Sequence, residues 1–258
     1  MMMKLKVLNM ILMVWILSGT WSQIIQAASL PDVIDAIKPS VVGIGSYLKT
    51  RRPPALLVGT GFVVGDGSYV VTNEHVVSND IKEDEGELRS VFIQAGNRAD
   101  MRAALIVGKD KEHDLALLKI TGAPLSALEI GNSDKVREGQ SIAFTGFPIG
   151  AVLGLTPVTH RGIIAAITPV VIPVQASSQL NPRLIKRMQS PYKVFQLDAT
   201  AYPGNSGSPV YDLDSRKVIG VINKVFIKES KETVLSKPSG ITYAIPSNHI
   251  ITLLKEAK

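Results

Sequence analysis

No cysteine occurs in the 258 residues, so neither a disulfide nor a thiolate metal site holds this fold together. Histidine is scarce as well. Only His75, His113, His160 and His249 are present, and no two of them share a metal-ligand spacing. No metal and no other cofactor is therefore expected. Aromatic residues make up 5% of the chain and are not interleaved with basic ones, so the net charge of +6 reads as ordinary solubility and not as a nucleic-acid footprint. Long apolar runs are also missing. The run from Val7 to Leu17 falls short of the roughly 20 residues that a membrane-spanning helix needs.

That run has another use. Lys4 and Lys6 precede it, and small and polar residues follow it up to Ala28. This is the order of a secretory signal, predicted over residues 1–28, with cleavage after Ser22 as an alternative. Left uncleaved, the segment would act as a membrane tether. Its removal takes two lysines away and lowers the net charge from +6 to +4. The remaining residues 29–258 are numerous enough to bury a large fraction of their surface.

Short apolar runs with turn residues between them recur along the chain, which predicts an all-β fold. Expected strands are Ser40–Ile44, Leu57–Val64, Tyr69–Thr72, Val91–Ala95, Arg102–Val107, Leu115–Ile120, Ser141–Gly146, Arg161–Ile167, Val194–Leu197, Lys217–Val225 and Ile241–Ala244. A short helix is expected over Leu30–Ile37, and a closing helix through Ile250, Ile251 and Leu254 with Ser247 as its cap. Pro173–Lys193 and Lys228–Ser239 are polar stretches with clustered charge. They read as solvated loops, with a role at the edge of a substrate cleft as the alternative.

The most informative segment is Tyr202-Pro203-Gly204-Asn205-Ser206-Gly207-Ser208-Pro209. It sets a serine between glycines that let neighbouring amides turn towards one point. A serine hydroxyl is a poor nucleophile without a base to take its proton. His75 ends an apolar strand in Val70-Val71-Thr72-Asn73-Glu74-His75, where a rigid element can present it. Asp114 opens the apolar strand Leu115–Ile120 and is the carboxylate available to orient that base. Each of the three alone would pass for a solvated turn residue. Their order is discriminating: His, Asp, Ser excludes the Ser-acid-His order of α/β-hydrolases and the Asp-His-Ser order of subtilisins.

With these blocks stand Gly59-Thr60-Gly61-Phe62-Val63-Val64, Gly131-Asn132-Ser133-Asp134 and Ala244-Ile245-Pro246-Ser247-Asn248. In that order, from about Leu30 to Ile250, the chain resembles bacterial trypsin-like serine proteases of the HtrA/Deg type. The resemblance implies two six-stranded antiparallel β-barrels of the chymotrypsin type with a short C-terminal helix. The first barrel would span about 38–134 and the second about 135–258, joined near Gly131–Gly139. It implies His75, Asp114 and Ser206 as the triad in the cleft between the barrels. The oxyanion hole would come from the Gly204-Asn205-Ser206 backbone, with the amides of Gly204 and Ser206 as donors. Thr200, Ala201 and Tyr202 would line the primary substrate pocket, since the residue six before the nucleophile lies at its base.

The resemblance further implies a bacterial serine endopeptidase, periplasmic or secreted, acting on unfolded or damaged polypeptides in quality control. The lack of cysteine favours the bacterial branch over disulfide-bonded animal trypsins. The remainder of the chain is read as lacking the peptide-binding PDZ domain that many members carry. A homo-trimer is the family's frequent state, although the aromatic N-terminal contacts that build it are not evident here. Asn205 stands where trypsins carry an aspartate that pairs with a freed N-terminal ammonium, so zymogen activation is not expected. Ser208 replaces a usual glycine, and Gly146-Phe147-Pro148-Ile149-Gly150 varies the family's glycine-rich turn. A protease-fold binding protein or chaperone with little turnover is the alternative reading, because loops can hold a complete triad misassembled.

Overall fold

The run Leu115-Ala116-Leu117-Leu118 is apolar at every position, and its alternation shows why. Leu115 and Leu117 point into one buried cluster, while Ala116 and Leu118 point into another. Successive side chains of a strand face opposite sides, so a strand buried on both faces must be apolar throughout. The same division splits Phe62 and Val64 from Val63, and Val71 from Val70. These strands form the wall between two cores.

A computed structural model describes residues 29–78, 81–95, 98–148, 155–170, 191–223 and 241–256. The expected loops over 173–193 and 228–239 and the signal segment fall largely or wholly outside the described residues. Twelve strands are described: β1 Val41–Tyr47, β2 Ala55–Val64, β3 Tyr69–Thr72, β4 Leu88–Ala95, β5 Arg98–Asp110, β6 Leu115–Ile120, β7 Ser141–Gly146, β8 Val158–Pro169, β9 Lys193–Asp198, β10 Pro209–Asp212, β11 Val218–Asn223 and β12 Ile241–Pro246. They close into two six-stranded barrels, ordered β1-β2-β3-β6-β5-β4 and β10-β11-β12-β9-β8-β7. Read from its first strand, each barrel has the same order, and every pairing is antiparallel.

Among the described residues three α-helices accompany them: α1 Leu30–Ile37, α2 Glu74–Val77 and α3 Asn248–Glu256. Helix α1 starts at a capping box: the Ser29 hydroxyl accepts from the Asp32 amide, and the Asp32 side chain accepts from the Ser29 amide. Its Val33 and Ile37, one turn apart, enter the cluster shared by both barrels. Ile250 and Leu253 of α3 enter the same cluster beside Tyr211 and Ile245. The remaining two clusters each belong to one barrel, the first around Val91 and Leu118, the second around Phe144 and Leu197.

The structure differs from the sequence expectations at several places. Strand β10 has no counterpart among the expected strand ranges, although a strand after the Ser206 segment is expected; it is only four residues long, too short to show a period. Strand β5 is far longer than Arg102–Val107, because Arg98 to Ala103 pair with β4 while Ala104 onward pairs with β6. The Ser247 hydroxyl does not cap α3. It donates to the Gly131 carbonyl at 2.7 Å and so ties the closing helix to the segment joining the barrels.

Candidate active site

His75 and Asp114 lie just beyond neighbouring strand ends. Antiparallel pairing of Thr72 with Ala116 brings the residues just after β3 beside those just before β6. The sequence suggested a strand-end turn for His75; the chain instead coils into the one-turn helix α2. The Asp114 carbonyl accepts from the Glu74 amide at 3.2 Å and from Asn73 Nδ2 at 3.0 Å. Its carboxylate then takes two bonds from His75. Oδ1 accepts from the backbone amide at 2.9 Å, and Oδ2 lies 2.6 Å from the ring Nδ1. With Nδ1–H donated to the carboxylate, the Nε2 lone pair is left to act as a base.

Asp114 holds this position at φ 53°, the left-handed region that few side chains other than Asp and Asn enter readily. The turn before it is fixed by Asp110, whose Oδ1 accepts the amides of Glu112 and His113 and whose Oδ2 lies 2.6 Å from His113 Nδ1.

Ser206 lies on the loop between β9 and β10 and is 6% exposed. Its carbonyl accepts from the Thr60 amide of β2 at 2.9 Å. Gly207 follows at φ 87°, and a Cβ there would collide with the Thr60 carbonyl, so glycine is required twice over. At Gly59, a side chain would strike both Val76 of α2 and the Ser206 carbonyl. Helix α2, which carries His75, and the Ser206 loop thus press on the same point of β2. No hydrogen bond joins Ser206 Oγ to His75.

Of the three residues expected at the oxyanion hole, Asn205 differs from the other two. Its amide donates to the Tyr202 carbonyl at 3.0 Å, whereas no backbone carbonyl among the described residues accepts from Gly204 or Ser206. The Asn205 side chain is fully buried, and its Oδ1 and Nδ2 have no partner. Beside it, a Cβ on Gly146 would overlap the Ser208 hydroxyl. With the Ser208 hydroxyl placed there, position 146 has room only for glycine.

Thr200, Ala201 and Tyr202 are half-buried, and the Thr242 hydroxyl holds this segment by accepting from Ala201 and donating to the Ala199 carbonyl. Asp198, which a different loop path could have turned inward, is exposed at the end of β9. Sequence reasoning missed His160 as a neighbour here. Its ring stacks on Phe144 at 4.8 Å and lies 5.9 Å from the Tyr202 ring; burial pushes its pKa down, and its Nε2 is buried with no partner. Only its place on β8 opposite Phe144 could have shown this, and that pairing needs the barrel. Among the described residues no cluster of His, Asp and Glu could hold a metal ion.

Residues 59–221 match the family model described as trypsin-like peptidase domain. The chain belongs to the trypsin-like peptidase family. Over 208 residues it is 27% identical to a "Probable periplasmic serine endoprotease DegP-like" of Pseudomonas fulva (strain 12-X), covering 81% of this chain and 36% of that protein. "Serine protease HTRA1A" of Danio rerio is 31% identical over 236 residues, covering 88% of this chain and 41% of its own. Among solved structures, "HtrA-type protease AlgW with decapeptide" superposes with a TM-score of 0.63 at 22% identity, over 89% of this chain and 67% of that one. This likeness shows a shared fold, the two-barrel trypsin-like architecture. The chain spans about a third to two fifths of the length of these curated relatives.

Proposed function

We propose that the protein is a serine endopeptidase of the HtrA type that hydrolyses polypeptides, unfolded or damaged ones first, in the periplasm or outside the cell. The observation that carries this reading is the Asp114 carboxylate gripping His75 by ring and backbone, with the Ser206 loop anchored on the adjoining strand β2. Ser206 Oγ attacks the scissile carbonyl as His75 Nε2 takes its proton. The tetrahedral oxyanion is received by the amides of Gly204 and Ser206. His75 returns the proton to the leaving amine, and water repeats the sequence on the acyl-enzyme. Asp114 keeps the imidazole in its Nδ1–H form and stabilises the imidazolium.

The competing reading, a protease-fold binding protein or chaperone with little turnover, is favoured by one observation, the absence of a Ser206–His75 hydrogen bond. Such bonds are often long before substrate binds, so this weighs less than the completed Asp–His pair. A fluorophosphonate probe and casein hydrolysis separate the two. The wild type is expected to label and to cleave casein. Ser206→Ala should abolish both, and His75→Ala and Asp114→Ala should lower turnover by ~10⁴–10⁶-fold without unfolding. A folded wild type that neither labels nor cleaves would establish the binding reading. Substantial turnover in folded His75→Ala would move the base to His113 or His160.

A further inference from the structure

Thr60 is fully buried on β2, and all of its polar atoms except one serve the second barrel. Its hydroxyl donates to the Gly204 carbonyl at 2.7 Å and accepts from the Phe147 amide at 3.0 Å. Its amide donates to the Ser206 carbonyl at 2.9 Å, and its own carbonyl accepts from the Thr72 hydroxyl at 2.7 Å. The carbonyls of Gly204, Asn205 and Ser206 are thus all held: the first and third by Thr60, the second by the Ser208 amide at 3.0 Å.

A planar trans peptide points its N–H opposite its C=O, so holding one end aims the other. The Gly204–Asn205 peptide is fixed at both ends, its carbonyl on Thr60 Oγ1 and its N–H on the Tyr202 carbonyl. The Asn205–Ser206 peptide has its carbonyl on the Ser208 amide, which turns the Ser206 N–H to the opposite side. Gly204, at φ 99°, connects the fixed peptide to the one that carries its own N–H. The two N–H groups left without a carbonyl partner are the two proposed oxyanion donors.

From this geometry we infer that Thr60 is a positioning residue of the first barrel that sets the oxyanion hole of the second. The proposal rests on the peptidase reading above. The simpler role for a buried threonine is to satisfy polar groups between the barrels. Thr60 does this too, but a purely structural residue would affect folding and not the selective binding of a tetrahedral adduct.

Three measurements separate these roles on the full-length protein: thermal unfolding, kcat and KM on a peptide substrate, and affinity for a peptide boronate, whose tetrahedral adduct places oxygen in the oxyanion hole. Thr60→Val keeps the shape and removes the hydroxyl. It is expected to lower kcat by about 100-fold with KM within about threefold, as a misplacement near 1 Å does. Boronate affinity should fall in step with kcat/KM, and Thr60→Ser should restore both to within about fivefold of wild type. If Thr60→Val does not fold, Thr60→Ser and Thr60→Ala make the same comparison, because they differ only by the hydroxyl.

Wild-type kcat in the folded hydroxyl-free variant would overturn the proposal. So would lost kcat with wild-type boronate affinity, or a folded Thr60→Ser as impaired as Thr60→Val. A wild type that fails to react with fluorophosphonate would instead sink the peptidase reading, and the two failures are distinguishable.

Discussion

At the scale of single residues, the candidate pocket is read by what it cannot neutralise. Thr200, Ala201 and Tyr202 carry no charge, Asp198 is turned out to solvent, and burial pushes the His160 pKa down, disfavouring its charged form. A lysine or arginine side chain entering here would lose its hydration without gaining a carboxylate from these described residues, and an acidic one would find no cation among them. Cleavage is therefore expected after small or medium apolar residues such as Val, Ala, Leu and Ile. Sequencing the products of a mixed-peptide digest checks this, and a profile dominated by Lys, Arg, Asp or Glu would refute it. The residues behind this argument differ in how legible they were. His75, Asp114 and Ser206 stood out because their residue types, order and flanking glycines are local signals. The contribution of Thr60 was hidden, although its Gly-Thr-Gly-Phe block was conspicuous. Its partners at Gly204 and Phe147 lie 144 and 87 residues away, and no local pattern encodes a bond over that distance.

At the scale of elements, β6 was readable in full because burial on both faces leaves an unbroken apolar run. Strand β10 was not, since its four residues are fixed by pairing with β7 and β11 and not by their own pattern. Helix α3 was anticipated, but its contact with the turn before Asp114 was not. His249 of α3 stacks on His113 with ring centroids 3.6 Å apart, and Tyr192 meets both rings edge-on. Burial, reinforced by His113, lowers the His249 pKa from 6.5 to about 4; Asp110, Glu112 and Asp134 pull the other way. The unfolded chain therefore binds the proton more readily than the folded one. The stability contributed by the neutral ring is complete above about pH 6.5 and is lost as pH falls towards about 4. Wild-type protein should show a fall in melting temperature between pH 7 and pH 5 that His249→Leu largely removes. Parallel melting curves for the two proteins across that range would show that the stack does not titrate with folding.

At the scale of the whole molecule, the two barrels are joined by one core and not by a loose linker. Val33 and Ile37 of α1, Phe62 and Leu117 of the first barrel, Tyr211 and Ile245 of the second, and Ile250 and Leu253 of α3 are buried in a single cluster. Sequence patterning gave each strand its apolar face, but only closure of both barrels shows that the outer faces meet. This arrangement bears on how the site is ordered. In trypsins a freed N-terminal ammonium enters beside the residue before the nucleophile and completes the oxyanion hole. Here that residue, Asn205, is uncharged, fully buried and without a hydrogen bond for its side chain, so an ammonium would meet no carboxylate there. The loop is held instead by Thr60 and by its own turn bonds, all of which exist without a free N-terminus. Ser29, for its part, uses its backbone N–H to cap α1 through Asp32, a bond that an ordinary peptide linkage preserves. Protein made with a short tag before Ser29 is therefore expected to cleave casein as well as the same protein after the tag is removed. Activity that arises only once proteolysis creates one defined N-terminus would mean that the Ser206 loop is not ordered by these contacts.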